Sequence, residues 1–69
     1  MKSTSQYRYV VESRISGIPC LIGITWIYED EFDFEVLDRK GYKAGWLSKK
    51  MTKKDDSRVR SDVVNFFKN

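Results

Sequence analysis

Two runs in which apolar and polar residues alternate stand only two residues apart. Tyr7, Tyr9, Val11 and Ile15 mark one face of the first; Ile18, Cys20, Ile22, Ile24, Trp26 and Tyr28 mark one face of the second; Ser16-Gly17 separates them. Alternation of period two is the pattern of a strand with one buried face, and a two-residue connection containing Gly is the shortest hairpin turn. The turn also fixes the register. It sets Ile15 opposite Ile18, Val11 opposite Ile22 and Tyr7 opposite Trp26, so apolar side chains meet at each pair. A slip of one residue would turn every apolar side chain to the wrong face of its neighbour. This feature alone commits the chain to an antiparallel sheet.

A third run alternates with Phe32, Phe34 and Val36 inward and Asp33 and Glu35 outward. A three-residue loop, Glu29-Asp30-Glu31, pairs Tyr28 with Phe32 and Trp26 with Phe34, which makes these aromatics the main packing face. Asp38-Arg39-Lys40-Gly41 has the composition of a tight turn, and Tyr42, Ala44 and Trp46 alternate as a short fourth strand would. Thr52 followed by Asp55 reads as a capping box with Asp in place of Glu, and Val59, Val63, Phe66 and Phe67 recur at helical spacing. The expected fold is α+β. One domain spans residues 1–69, with a disordered N-terminus over 1–6, an antiparallel sheet of three to four strands over 7–47, and an amphipathic C-terminal helix over 52–68. The helix lies across one face, with Trp46, Leu47 and Met51 closing an edge.

At 69 residues the chain supports one modest core. It contains no His, which removes the commonest general base near neutral pH and the commonest nitrogen ligand of zinc. Cys20 is the only cysteine, so no disulfide forms within the chain; it reads as a buried, inert thiol in a reducing compartment, which makes the cytoplasm the expected location. No apolar run reaches the roughly 20 residues that span a bilayer, and Met1–Gln6 lacks the apolar stretch of a secretion signal, so no membrane association is expected. The paired carboxylates Asp30 and Glu31 stand on an exposed hairpin with nothing to separate their pKa values, and no metal-binding loop pattern is present. The expectation is a protein that is not an enzyme and takes no cofactor or metal.

Charge is segregated along the chain. Residues 1–38 carry three basic and seven acidic residues, a net of −4, whereas residues 39–69 carry ten basic and three acidic, a net of +7. Glu29, Asp30, Glu31 and Asp33 crowd one hairpin. They read as a docking tip for a basic groove on another protein, as a mimic of DNA, or as a charged edge that deters aggregation. Arg39, Lys43, Lys49, Lys50, Lys53 and Lys54, with Trp46 among them as a stacking residue, read as a nucleic-acid contact or as a solvated face. Trp26 is placed in the core. On the sheet face away from the helix the same register aligns Val10, Gly23 and Leu37, flanked by Leu21 and Ile27, an apolar row that fits a homodimer or a partner.

The segments Ile18-Pro19-Cys20-Leu21-Ile22, Phe34-Glu35-Val36-Leu37-Asp38-Arg39-Lys40-Gly41, Ala44, Trp46-Leu47 and Lys50-Met51-Thr52 resemble a family of small phage and prophage proteins over roughly residues 18–62. The chain differs from that pattern in its short connection after the second strand and in having Gly45 where the relatives have proline. The resemblance implies a phage accessory protein and brings no catalytic residues. The expected function is therefore binding and modulation of a host or defence protein in the cytoplasm of an infected or lysogenic bacterium, through Glu29, Asp30, Glu31, Asp33, Val10 and Leu37. The alternative is a nucleic-acid binder using the basic half.

Overall fold

The structure, a computed structural model, describes residues 7–29 and 31–68; the expected disordered segment 1–6 and the site residue Asp30 lie outside the described residues. Three strands, β1 (Tyr9–Ile15), β2 (Ile18–Tyr28) and β3 (Glu31–Leu37), form one antiparallel sheet in the order β1-β2-β3. A four-residue helix, α1 (Gly45–Ser48), and a longer one, α2 (Lys53–Lys68), follow. The fold is α+β, as the sequence pattern implies.

The first hairpin has the expected register, with Ile15 opposite Ile18 and Val11 opposite Ile22. Ser16 and Gly17 both take positive φ, 52° and 77°, which a two-residue turn needs if its twist is to match the strands it joins. Tyr7 does not face Trp26. The ladder begins at Tyr9 opposite Ile24, and Tyr7 lies before it with its ring against Gly23.

The second hairpin departs from strict alternation. Tyr28 pairs with Glu31 and Ile27 with Phe32, so the connection is two residues long, not three. A β-bulge at Thr25 then absorbs one residue and sets Ile24 opposite Phe34 and Ile22 opposite Val36, so neither expected pair, Tyr28 with Phe32 or Trp26 with Phe34, forms. The Thr25 hydroxyl donates to the Asp33 carbonyl beside the irregularity, at 3.3 Å. Beyond the bulge the faces exchange. Ile27 joins Phe32 and Phe34 against the core, whereas Trp26 and Tyr28, expected inside, are 48% and 64% exposed.

The expected fourth strand does not form. Residues 42–44 approach β3 through a single bridge between Leu37 and Lys43 and a hydrogen bond from the Ala44 amide to the Val36 carbonyl, and the chain then turns into α1. Ala44, ahead of the helix, and Leu47 within it are buried, whereas Trp46 is 55% exposed, so Leu47 and not Trp46 seals this edge. The preceding turn is as read. The Asp38 carboxylate accepts from the amides of Lys40 and Tyr42, and Gly41 takes a φ of 92°.

The capping box at α2 is present. The Thr52 hydroxyl accepts from the Asp55 amide at 3.2 Å while the Asp55 carboxylate accepts from the Thr52 amide at 3.0 Å. That carboxylate also accepts from the Ser16 amide, and the Ser13 hydroxyl donates to Asp62 at 2.7 Å, which holds α2 on β1. The core comprises Val11, Ile15, Cys20, Ile22, Ile24, Val36, Ala44, Leu47, Val59 and Val63. Phe66 and Phe67 continue the helix stripe and meet Tyr9 edge to face, with centroids 6.2 and 4.9 Å from it.

Candidate interaction surface

β2 and β3 extend past the end of the β1 ladder as a two-stranded ribbon carrying Trp26–Tyr28 on one strand and Glu31–Asp33 on the other. Its two faces differ. Toward α2, Ile27 and Phe32 face Val63, Val64 and Phe67 across an apolar groove. On the outer face Trp26 stands directly opposite Asp33 and Tyr28 opposite Glu31, and the two rings lie 6.4 Å apart, tilted by 30°. Glu29, Glu31 and Asp33 are all exposed, and Glu29 holds a φ of 55° at the turn. Each exposed ring on this face therefore has a carboxylate as its cross-strand neighbour.

Further along the outer face Val10 stands opposite Gly23 as expected, but Leu37 does not complete the row. The bulge places Gly23 opposite Glu35 and Leu37 opposite Leu21. Leu37 is fully buried, so it is not available to a partner, and Val10 is half-buried. Gly23 is covered by Tyr7: a Cβ added there would come within 2.8 Å of the ring. Glu35 pairs with Lys43 at 3.2 Å. The Tyr7 hydroxyl is buried beside Glu35; burial, and then the charge and hydrogen bonding of that carboxylate, push its pKa up. Of the row that pointed to a homodimer, Gly23 and Leu37 are covered and Val10 stays partly exposed.

The basic set lies elsewhere in the chain. Arg39 is exposed in the turn after β3, Lys43 is held by Glu35, and Lys49 follows α1. Lys50 places its ammonium 5.7 Å from the centre of the Trp46 ring. Lys53 and Lys54 open α2, where Asp55 and Asp56 share the first turn. Cys20 is buried at the sheet centre, and burial, then Asp62 and Asp55, raise its pKa, which keeps it a protonated thiol. Among the described residues no three Cys, Asp or Glu side chains gather as a metal site requires, and no helix is long and apolar enough to cross a membrane.

A family model described as YuA phage, Gp49 matches residues 26–63, more than half of the chain. The chain belongs to this family of small phage proteins. No curated protein and no solved structure matches it. In this Gp49-family protein the matched region begins at Trp26 and runs through the outer half of the ribbon, β3, α1 and most of α2. Trp26 and Tyr28 are the surface residues that sequence reasoning missed. Trp26-Ile27-Tyr28 is apolar at three successive positions, so alternation alone does not say which of them faces in.

Proposed function

We propose that this Gp49-family protein is a non-enzymatic phage accessory protein that acts in the bacterial cytoplasm by binding and modulating a host or defence protein through the β2–β3 ribbon. The supporting observation is the ribbon itself. It projects past β1, carries two exposed aromatic rings on its outer face, and ends in the acidic residues Glu29 and Glu31. Aromatic side chains supply large contact area at low conformational cost, and a negative field speeds encounter with a positively charged surface. Affinity purification from host cells with and without nuclease tests this reading. Wild type should retain a nuclease-resistant protein that the Glu29→Lys, Glu31→Lys variant loses; retention of nucleic acid alone would overturn it.

Binding of nucleic acid through the basic half is the second reading, and the exposed Trp46 under Lys50 favours it. An indole with lysines around it can stack on a base while the ammonium groups contact phosphate. Neutralising Lys49, Lys50, Lys53 and Lys54 would then weaken binding and flatten its salt dependence, because each phosphate contact releases counterions.

A further inference from the structure

On its inner face this protein already holds a guanidinium over two aromatic rings. Arg60 lies 5.4 Å from the centre of the Phe32 ring and 5.7 Å from that of Phe34, and its Nε donates to Asp56 at 2.9 Å. The two rings are two residues apart on one strand, with centroids 5.9 Å apart and planes tilted by 41°. The outer face repeats the aromatic part of this arrangement. Trp26 and Tyr28 are likewise two residues apart, with centroids 6.4 Å apart and a tilt of 30°. The carboxylates are also in place, since Asp33 and Glu31 stand across the ladder from the rings. Here, however, both rings are open to solvent.

We infer that the outer face of the β2–β3 ribbon receives an extended arginine-bearing segment of the partner protein, with alternate arginines (Arg-x-Arg) laid over Trp26 and Tyr28 and paired with Asp33 and Glu31. This rests on the docking reading above and specifies its chemistry. Alternate side chains of an extended strand recur at about 6.6 to 6.8 Å, close to the ring spacing. The charge is complementary. A guanidinium is planar, so it stacks on a ring and still donates in its own plane to a carboxylate; an ammonium does only one of these well. The site therefore selects arginine over lysine, which a purely acidic tip would not do.

The test uses the full chain and synthetic peptides carrying Arg-Thr-Arg, Lys-Thr-Lys or citrulline-Thr-citrulline, with binding followed by calorimetry. The arginine peptide should bind at least about fivefold tighter than the lysine peptide, and the citrulline peptide weakest. In a Trp26→Leu, Tyr28→Leu variant the preference for arginine should vanish. These side chains are exposed, so the fold should survive, and circular dichroism checks it. In a Glu31→Gln, Asp33→Asn variant both charged peptides should weaken. Equal binding of the arginine and lysine peptides, or arginine binding indifferent to loss of the rings, overturns the inference. Capture of the host protein separates the two claims. Capture lost in both the ring variant and the Glu29→Lys, Glu31→Lys variant supports both claims. Capture lost only on acid reversal overturns the arginine inference and leaves the docking reading standing, and capture kept in both variants overturns the two together.

Discussion

Tyr7 lays its ring on Gly23 so closely that a methyl group there would sit 2.8 Å from two ring carbons. Gly23 is in the central strand, on the face that has no helix, and the ring supplies the cover that a side chain would otherwise give. Gly23→Ala should displace the ring, and Tyr7→Ala should uncover the backbone. Each should cost about 1 to 2 kcal/mol in urea unfolding. The double variant should cost little more than either single one, because both remove the same contact. Additive losses would show that the two residues act independently. Tyr7→Phe keeps the ring on Gly23 and should therefore cost less than Tyr7→Ala.

α2 covers the sheet with two valines more than with its phenylalanines. Val59 and Val63 are buried in the core, whereas Phe66 and Phe67 are 45% and 40% exposed beside Tyr9. Val63→Ala should therefore cost about 2 kcal/mol and Phe66→Ala about 1 kcal/mol, the reverse of the order that side-chain size would give. Thermal or urea melts of the two variants decide it. Removing residues 52–69 should abolish the cooperative transition, because the inner face of the sheet would lose its cover.

The first hairpin, the tight turn at Asp38 and the capping box at Thr52 are legible in the sequence for a common reason. Each is fixed by residues adjacent in the chain: a Ser-Gly turn, an Asp ahead of a Gly, a Thr three residues before an Asp. The outer face was not legible, because one bulged residue at Thr25 reverses the parity of everything up to the turn. A continuous three-residue loop and a two-residue loop with a bulge both bring Phe32 and Phe34 to the core, and the composition of Glu29-Asp30-Glu31 suits either. Burial of Leu37 and exposure of Trp46 escaped for a related reason. Both depend on how the chain from Asp38 to Ser48 folds back on the edge of β3, which no local pattern encodes.

Asp55 ties the capping box to the first turn, and hydrogen bonds from the Thr52 and Ser16 amides lower its pKa below the ordinary carboxylate value. A carboxyl group with a lower pKa in the folded chain than in the unfolded one contributes stability above its ordinary pKa and loses it as pH falls through the lowered value. Wild type should therefore be more stable than Asp55→Asn near neutral pH. The gap should narrow as pH drops below about 4, where the unfolded chain begins to take up the proton. Urea titrations of both proteins from pH 7 to pH 2.5 check the sign. A gap that stays constant would mean that the carboxylate charge contributes nothing at this position.

The two tryptophans are both exposed but sit in fields of opposite sign, and this gives a direct test of the bulge. Trp26 faces Asp33 across the ladder, next to Tyr28 and Glu31, whereas Trp46 lies under the Lys50 ammonium. In a Trp46→Phe protein, Trp26 fluorescence should be quenched more strongly by caesium than by iodide, because the carboxylates concentrate the cation near the ring. In a Trp26→Phe protein the order should reverse at Trp46. Raising the ionic strength with an inert salt should shrink both differences, since the Debye length falls to about 3 Å at 1 M. Without the bulge Trp26 would lie between the sheet and α2, with blue-shifted emission and little response to either ion. Such a result would return Trp26 to the core and remove the aromatic surface from the ribbon's outer face.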